Sequence, residues 1–259
     1  MKLKQKCLFI TGAAAGIGKA TSLRFAEAGW FVGIADVDEL GLKALAREIG
    51  SDNCMTLKLD VTSADDWQRG LDSFWKKTGR LDLLVNNAGV LSSGPFETID
   101  LKAQQRMVDI NVTGTVNGCH SAFPYLKDTR ESRVINLCSA SAMYGQPSLA
   151  VYSATKFAIK GLTEALNLEW EPHRIRVMDI LPLFVRTAMV TDMNARSVRR
   201  MGVKLTVNDV TRVIYQAATT NRHRSKVHWP VGSDTKFLYL LSSISPDWMN
   251  RMVNKYVGM

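Results

Sequence analysis

The chain has 259 residues, of which 46% are hydrophobic and 22% charged, and its formal net charge is +9. Such a composition can bury a large core, and no linker-like, low-complexity or repeated segment divides it, so we expect one domain over 1–259. The apolar stretch behind the charged first six residues is too short for a signal peptide or a membrane span. We therefore expect a cytoplasmic protein, and without a recognition motif the positive charge does not indicate nucleic-acid binding.

Short apolar segments alternate with helical stretches along the chain. Candidate strands lie near 6–11, 30–35, 54–59, 82–85, 132–138, 175–181 and 226–230. This alternation predicts an α/β fold, a Rossmann-like doubly wound sheet of about seven parallel strands with helices on both faces. Ligands of such sheets bind at the carboxyl ends of the strands.

The first candidate strand ends in a glycine-rich turn. The apolar run Cys7 to Ile10 leads into Thr11-Gly12, and residues 17–28 then show apolar positions at helical spacing. A strand, a glycine turn and a helix start direct backbone N–H groups and the positive end of the helix dipole towards an anion. The pattern predicts a phosphate or dinucleotide site, and a tight turn without a ligand is the alternative for the glycines alone.

The second candidate strand, Trp30 to Ala35, ends at Asp36. An acid at this distance beyond the glycines can accept hydrogen bonds from the adenosine ribose hydroxyls. A 2′-phosphate there would meet like charge, and neither Ala15 nor Val37 is basic. The sequence therefore predicts NAD(H) as the cofactor rather than NADP(H).

Tyr152 and Lys156 lie four residues apart in a segment, 150–163, that is compatible with a helix. Residues at this spacing share one helix face. A nearby ammonium lowers the pKa of an acid by ~1–3 units from the ordinary tyrosine value of ~10, which favours acid–base catalysis near neutral pH. A chance Tyr and Lys on an ordinary amphipathic helix is the alternative.

Several motifs in order along the chain resemble those of the short-chain dehydrogenase/reductase family. Gly12, Gly16 and Gly18 follow that family's T-G-x-x-x-G-x-G pattern rather than G-x-G-x-x-G, and Tyr152 and Lys156 match its Y-x-x-x-K. The resemblance covers residues from about 6 to about 188. Its further marks are Asp60-Val61, Asn86-Asn87-Ala88-Gly89, Asn111 and Ser139.

The resemblance implies roles for four catalytic residues. Tyr152 would donate or accept the proton at the substrate oxygen, and Ser139 would hydrogen-bond that oxygen. Lys156 would bind the nicotinamide ribose and lower the pKa of the tyrosine, while Asn111 would hold a water in a proton relay. Hydrogen bonding to local backbone is the alternative for Ser139 and Asn111, and Ser141 competes with Ser139.

The resemblance also implies a set of cofactor contacts. In the family the acid of Asp60-Val61 approaches the adenine, and the positions of Val185 and Thr187 contact the carboxamide. The full set is Gly12, Ala14, Gly16, Ile17, Gly18, Asp36, Asp60, Val61, Asn87, Ala88, Gly89, Tyr152, Lys156, Pro182, Val185 and Thr187.

The chain departs from the family pattern at two places. Leu183 follows Pro182 where the family usually has glycine, so we expect a different backbone path or added bulk beside the nicotinamide. Cys138 stands where a serine is common, and its thiol is expected to be a small buried hydrophobe. Cys7, Cys54 and Cys119 are likewise expected to be reduced core thiols.

The last third of the chain should determine substrate preference. We expect a substrate lid at about 186–206, whose arginines either face solvent or receive an acidic substrate; 222–226 forms a second basic cluster. The apolar segment 234–259 could pack on the domain, line the substrate mouth, join another subunit or rest on a membrane surface.

Together these patterns predict an oxidoreductase that interconverts a secondary alcohol and a ketone by hydride transfer with NAD(H). The expected substrate is a hydrophobic small molecule. An NADP-dependent carbonyl reductase and a nonenzymatic dinucleotide-binding regulator are the alternatives. The resemblance suggests a homodimer or homotetramer built on the helices that hold Asn111 and Tyr152. The four histidines have no metal-ligand spacing, so we expect no metal site.

Overall fold

The structure is a computed structural model that describes residues 3–191, 193, 195–220 and 225–258. The basic residues 222–224 of the second cluster lie outside this described part. Seven parallel strands form one sheet in the order β3-β2-β1-β4-β5-β6-β7. The strands are β1 (Cys7–Thr11), β2 (Phe31–Asp36), β3 (Cys54–Lys58), β4 (Leu83–Asn86), β5 (Arg133–Leu137), β6 (Arg176–Leu181) and β7 (His228–Pro230).

Helices follow most strands and cover the sheet. They are α1 (Gly16–Glu27), α2 (Glu39–Ile49), α3 (Ala64–Thr78), α4 (Leu101–Val108), α5 (Gly114–Lys127), α6 (Ala150–Glu169), α7 (Ala188–Thr191), α8 (Arg196–Met201), α9 (Val207–Thr219), α10 (Ser233–Ile244) and α11 (Asp247–Gly258). A π-helical turn, Asp109–Thr113, joins α4 to α5, and short 3₁₀ turns occur at Phe96–Thr98, Ala140–Ala142 and Glu171–His173. The predicted doubly wound α/β fold with seven parallel strands is confirmed.

The two faces of the sheet carry separate cores. Along β1, Leu8 and Ile10 pack into a core that includes residues of α1, α2 and α9, while Cys7 and Phe9 pack into a core with residues of α3 and α5. All of β1 is buried because successive side chains point to opposite faces and both faces are covered. This double burial explains why the strands appear in the sequence as continuous apolar runs.

Polar caps fix where several helices begin. The side chains of Asp38 and Ser63 accept hydrogen bonds from backbone N–H groups in the first turns of α2 and α3. Thr206 and Asp209 form a reciprocal capping box at the start of α9. α1 differs, because its N-cap, Ala15, has no side chain that can bond the first-turn N–H groups.

The cysteines, the potential metal ligands and the hydropathy of the helices also bear on the sequence expectations. All four cysteines are buried and free, as expected for core thiols. No cluster of potential metal ligands occurs among the described residues. Within that same part of the chain, no helix is both long enough and apolar enough to cross a membrane.

Candidate active site

The glycine turn after β1 is held by the start of the segment that follows β4. The Asn87 side-chain amide donates to the carbonyl oxygens of Thr11 and Gly12, at 2.9 and 3.0 Å. In return, the Thr11 hydroxyl accepts from the backbone N–H groups of Asn87 and Ala88, both at 3.2 Å. These four bonds within the protein fix the turn against the neighbouring strand end without any contact to a ligand.

Glycine is required in this turn for two different reasons. Gly12 and Gly16 have φ values of +64° and +54°, in the left-handed region that favours glycine. Gly18 instead lies against the turn, and a Cβ there would be 2.0 Å from the Gly12 carbonyl oxygen and 2.6 Å from Nδ2 of Asn87. Gly18 therefore allows α1 to approach the turn closely.

The acidic residues at the ends of β2 and β3 are bonded to backbone N–H groups. Asp36 accepts from Ala14, at 3.0 Å, and from Asp38, at 3.1 Å. Asp60 accepts from the backbone N–H and the hydroxyl of Thr62, at 2.9 and 2.8 Å. The Asp36 carboxylate is thus oriented by the glycine turn and by its own loop, the Asp60 carboxylate is oriented by its own loop, and both line the cavity described next.

A cavity of about 760 Å³ lies at the carboxyl ends of the strands. It brings together most of the residues singled out in the sequence. Those in its wall are Gly12, Gly16, Ile17, Asp36, Asp60, Val61, Asn87, Ala88, Gly89, Ser139, Tyr152, Lys156, Pro182, Val185 and Thr187. Ala14, Gly18 and Asn111 lie behind this wall, where their contacts support the residues that form it.

Ser139 and Tyr152 meet at one end of the cavity. Ser139 follows β5, and Tyr152 lies in the first turn of α6; both side chains line the cavity. Ser141, the competing serine, donates its backbone N–H to the Ser139 hydroxyl at 3.1 Å and accepts from that hydroxyl at 3.3 Å. Ser139 is the serine that lowers the pKa of the phenol, and Ser141 orients the Ser139 hydroxyl.

Lys156 lies beside the tyrosine ring rather than at its oxygen. Its ammonium donates to the Leu137 carbonyl oxygen at 2.7 Å, and Nζ is 5.5 Å from the centroid of the Tyr152 ring. Burial raises the pKa of Tyr152 to about 12, and the hydrogen bond with Ser139 lowers it in part. The ammonium is turned towards the end of β5, and the lowering of the Tyr152 pKa by Lys156 stays a prediction. Burial also lowers the pKa of Lys156 itself.

Asn111 joins the π-helical turn to the loop after β4. Its Oδ1 accepts from the Val90 N–H at 2.8 Å, and its Nδ2 donates to the Val90 carbonyl at 2.9 Å and to the Thr155 hydroxyl at 3.2 Å. The buried amide therefore connects the loop of Gly89 to α6, which carries Tyr152. These partners were not evident from the sequence, since they lie 21 and 44 residues from Asn111.

Leu183 and Cys138, which depart from the family pattern, are both accommodated by their surroundings in the structure. Leu183 does not adopt a positive φ, so the chain turns there without glycine, and its side chain adds bulk to the cavity wall. The Pro182 carbonyl accepts from the Ala140 N–H at 2.9 Å, which ties this turn to the Ser139 segment. Cys138 is buried, and burial raises the pKa of its thiol to about 12, as expected for an inert core cysteine.

The wall near Ser139 and Tyr152 is mainly apolar. Its side chains come from the loop after β4, the start of α6 and the segment after β6: Val90, Leu91, Leu149, Leu183, Phe184, Met189, Val190 and Met193. The role of most of these residues in the cavity wall was not evident from the sequence, because isolated apolar residues in loops form no pattern that indicates a binding site. The described arginines of 186–204 do not line this cavity, and Arg186 instead donates to the Val203 carbonyl.

The cavity fits a nicotinamide dinucleotide. A Cβ at Gly16 would meet only Thr187 Cγ2, at 3.7 Å, so the turn is open on the cavity side. The first-turn N–H groups of α1 have no side-chain cap, which leaves them available to a pyrophosphate. Asp36, at the end of the next strand, can accept from ribose hydroxyls.

Comparisons with known proteins agree with this architecture. The family model described as short chain dehydrogenase matches residues 6–197. The chain is 33% identical over 196 residues to a trans-4-hydroxycyclohexanecarboxylate dehydrogenase of Sinomonas cyclohexanicum, covering 73% of this chain and 75% of the relative. It is 35% identical over 189 residues to a 3-alpha-(or 20-beta)-hydroxysteroid dehydrogenase of Mycobacterium bovis, covering 73% and 72%.

Solved structures give the same result. A 3-ketoacyl-(acyl-carrier-protein) reductase from Brucella melitensis complexed with NADH matches with a TM-score of 0.81 and 28% identity, over 87% of this chain and 96% of that chain. ElxO with NADP bound matches with a TM-score of 0.79 and 25% identity, over 88% and 97%. The two similar structures hold different nicotinamide dinucleotides.

Proposed function

Because the chain belongs to the short-chain dehydrogenase/reductase family and is a nicotinamide-dependent oxidoreductase, we propose that it interconverts an apolar secondary alcohol and the corresponding ketone with NAD(H). The observation that carries this proposal is the shared cavity, which joins Asp36 at one end to Ser139, Tyr152 and an apolar wall at the other. A bound nicotinamide dinucleotide supplies the ring that gives or takes the hydride.

The residues of the chain handle the proton and the substrate oxygen. Tyr152 and Ser139 both line the cavity, and in this proposal both hydroxyls bond that oxygen. A phenol whose pKa is raised to about 12 is protonated at neutral pH, so it can donate to a carbonyl oxygen that gains negative charge. Ser139 stabilises the same charge, and Ser141 keeps the serine hydroxyl oriented.

Lys156 and Asn111 have supporting positions in this proposal. The Lys156 ammonium, at the end of β5 and beside the Tyr152 ring, is placed to bind a ribose hydroxyl of the dinucleotide. Asn111 positions the Val90 loop and, through Thr155, the first turns of α6. The water-holding role implied by the family is a further part of the proposal.

The preference for NAD(H) rests on Asp36. Its carboxylate is fixed by two backbone N–H groups and still has acceptor capacity for the ribose hydroxyls. A 2′-phosphate at this position would lie against the carboxylate, and the adjacent Val37 offers no positive charge.

The apolar character of the substrate rests on the wall near Tyr152. Leu149, Leu183, Phe184 and Met189 offer dispersion contacts and no ion pair for a carboxylate or phosphate. The idea that the lid arginines receive an acidic substrate finds no support in the described part of the chain, where those arginines lie outside the cavity wall.

Replacement of Tyr152 by Phe tests the mechanism. We expect the variant to bind NADH with nearly unchanged affinity but to lose turnover of apolar ketones by about 100-fold or more, as is typical when a general acid is removed. The matched control is Tyr144→Phe, a second tyrosine that is not part of the cavity wall. Retained turnover in Tyr152→Phe would contradict the proposed mechanism.

We also propose that the chain forms a homodimer or homotetramer through α5 and α6. Val116, Phe157 and Leu168 are exposed apolar side chains on these helices, with Leu168 71% exposed. Light scattering after size exclusion measures the mass directly. Phe157→Asp and Leu168→Asp should shift it towards the monomer, and a wild-type mass of one chain would refute this part.

A further inference from the structure

The two C-terminal helices expose a large amount of apolar side-chain surface. We name this set the C-terminal apolar surface; its members are between 57% and 76% exposed, and they are Phe237, Leu240, Ile244, Trp248, Met252 and Tyr256. Spacings of three and four residues place each helix's members on one face of that helix. Each helix therefore exposes a row of large apolar side chains, which indicates a contact surface rather than ordinary scattered surface residues.

Basic side chains accompany these apolar residues. Lys236 on α10, and Arg251 and Lys255 on α11, are exposed. On α8, Arg200 stacks on the ring of Tyr256, with 5.1 Å from its guanidinium carbon to the ring centroid. The acidic Asp234 is paired with Lys204 at 2.8 Å, which partly neutralises the negative charge near the start of α10. Asp247, the first residue of α11, is also exposed. The two helices thus carry three basic and two acidic residues, so the surface is apolar in its members and has a small net positive charge at its sides.

This surface is linked to the wall of the catalytic cavity. α11 packs on α8. The chain leading into α8 contains Met189, Val190 and Met193, which line the cavity. A lipid surface that held α10 and α11 would therefore lie near these cavity-lining residues.

Charge decides between the possible occupants. In a two-fold contact between copies of this chain, the same surface meets itself, so the net positive charge of one copy would meet the net positive charge of the other. Like charges across an interface oppose association. An anionic lipid surface reverses this effect, because its headgroups attract Lys and Arg while its acyl chains accept the apolar side chains. Trp248 and Tyr256 also suit the headgroup level of a bilayer.

We propose that the C-terminal apolar surface docks the enzyme on the surface of an anionic lipid bilayer. α10 and α11 lie in the plane of the interface, with the apolar members in the headgroup–acyl boundary and the basic side chains on the headgroups. Docking does not depend on the proposed catalytic function, because it uses no residue of the cavity. Its consequence for that function is access to apolar alcohols or ketones dissolved in the membrane.

Vesicle flotation of the purified full chain tests the proposal. The protein should float with vesicles of phosphatidylcholine mixed with phosphatidylglycerol, and much less with vesicles of phosphatidylcholine alone. High salt should reduce the bound fraction, since screening shortens the range of the attraction. Fluorescence of Trp248 should shift to shorter wavelength on the mixed vesicles, and Trp248→Phe should remove that shift.

Two sets of variants separate the contribution of the basic residues to vesicle binding from that of the apolar residues. Replacing Lys236, Arg251 and Lys255 by Glu should weaken partitioning by about tenfold or more, because each basic residue near an anionic surface adds severalfold. Replacing Phe237, Leu240 and Ile244 by Ser should have a similar effect. Matched controls change exposed residues elsewhere in the chain, with Glu at Lys43, Lys76 and Lys102 and with Ser at Leu40 and Leu101.

The outcomes are distinct. Loss of flotation in both C-terminal variants, with the controls and NADH binding unchanged, supports the proposal. Absence of wild-type flotation overturns it. A fall in molecular mass of the Ser variant in light scattering, without wild-type vesicle binding, assigns the surface to a subunit contact instead. Equal binding of the control variants would show non-specific adsorption and would likewise overturn the proposal.

Discussion

The buried pair of Asp179 and His228 gives a quantitative test of how the sheet supports α6. The Asp179 side chain is fully buried on β6, and both of its oxygens lie 2.9 Å from Nδ1 of His228 on β7, whose side chain is 13% exposed. Nε2 of His228 lies 3.0 Å from Glu164 of α6. Glu164 is half exposed, so its contact with the imidazole contributes less than the buried one.

Removal of one partner should leave a buried group without its counterpart. We expect His228→Ala to lower the free energy of unfolding by about 3 kcal/mol, at the low end for broken buried pairs because the imidazole is slightly exposed. Asp179→Asn keeps the shape of the side chain and one oxygen acceptor, so it should lower the free energy of unfolding by only about 1–2 kcal/mol. In the double variant no charge is left unpaired, so its loss should be at least about 1 kcal/mol smaller than the sum.

The pair also predicts a pH dependence. Burial alone would lower the pKa of His228, but the hydrogen bond and charge of Asp179 outweigh it, so the pKa is raised above 6.5. A raised folded-state pKa stabilises the fold fully below the unfolded value and loses this effect as pH rises through the folded value. The stabilisation that the protonated imidazole gives wild type should therefore be lost as pH rises above about 6.5. Burial raises the pKa of Asp179, so His228→Ala has a pH dependence of its own, and the His228 imidazole of wild type is titrated directly by NMR.

Urea unfolding of the four proteins of this cycle, at several pH values, measures these quantities. The slope with denaturant should stay the same, so that midpoints report stability. Additivity of the two single substitutions within about 0.5 kcal/mol would refute the coupling between Asp179 and His228. An NMR titration of wild type in which the His228 imidazole has a pKa below 6.5 would refute the assigned direction of the His228 pKa.

Two further predictions concern the cavity, one at a residue behind its wall and one at a residue in it. Gly18→Ala should destabilise the fold by about 1–3 kcal/mol and weaken NADH binding, because its Cβ would displace the Gly12 carbonyl. Gly161→Ala, whose Cβ would have nothing within 4 Å, is the control, and thermal melts with NADH titrations compare the two variants. Leu183→Gly should lower kcat/KM for apolar ketones by about tenfold while the Kd of NADH changes little, since the proposed function assigns this side chain of the cavity wall to substrate contact. A changed NADH Kd with unchanged kcat/KM would contradict that placement of Leu183.

Much of the fold was predictable from local patterns. The candidate strand near 30–35 is observed as Phe31–Asp36, and the one near 175–181 as Arg176–Leu181. Strands buried on both faces give continuous apolar runs, which the sequence displays directly. The glycine turn was equally visible, because the left-handed φ values of Gly12 and Gly16 restrict those positions to glycine.

Contacts between distant segments were not predictable. Asn87 was singled out as a cofactor residue, but its bonds to the glycine turn join residues 75 and 76 apart in the chain. Asp179 and His228 gave no signal at all, since their pairing depends on β6 and β7 being neighbours. The hydrogen bond of the Lys156 ammonium to the Leu137 carbonyl was not predictable either, because helical spacing fixes the shared face but not the rotamer.

The most direct test of the account is a parallel titration of the protein with NADH and NADPH, followed by reduced-nicotinamide fluorescence, for wild type and Asp36→Ser. We expect wild type to bind NADH about 10-fold or more tightly than NADPH, as one lost hydrogen bond to a charged group and a repelled phosphate imply. In Asp36→Ser the affinities for NADH and NADPH should lie closer together than in wild type. Equal affinities, or tighter NADPH binding by wild type, would contradict the assignment of Asp36 and with it the proposed NAD(H)-dependent function.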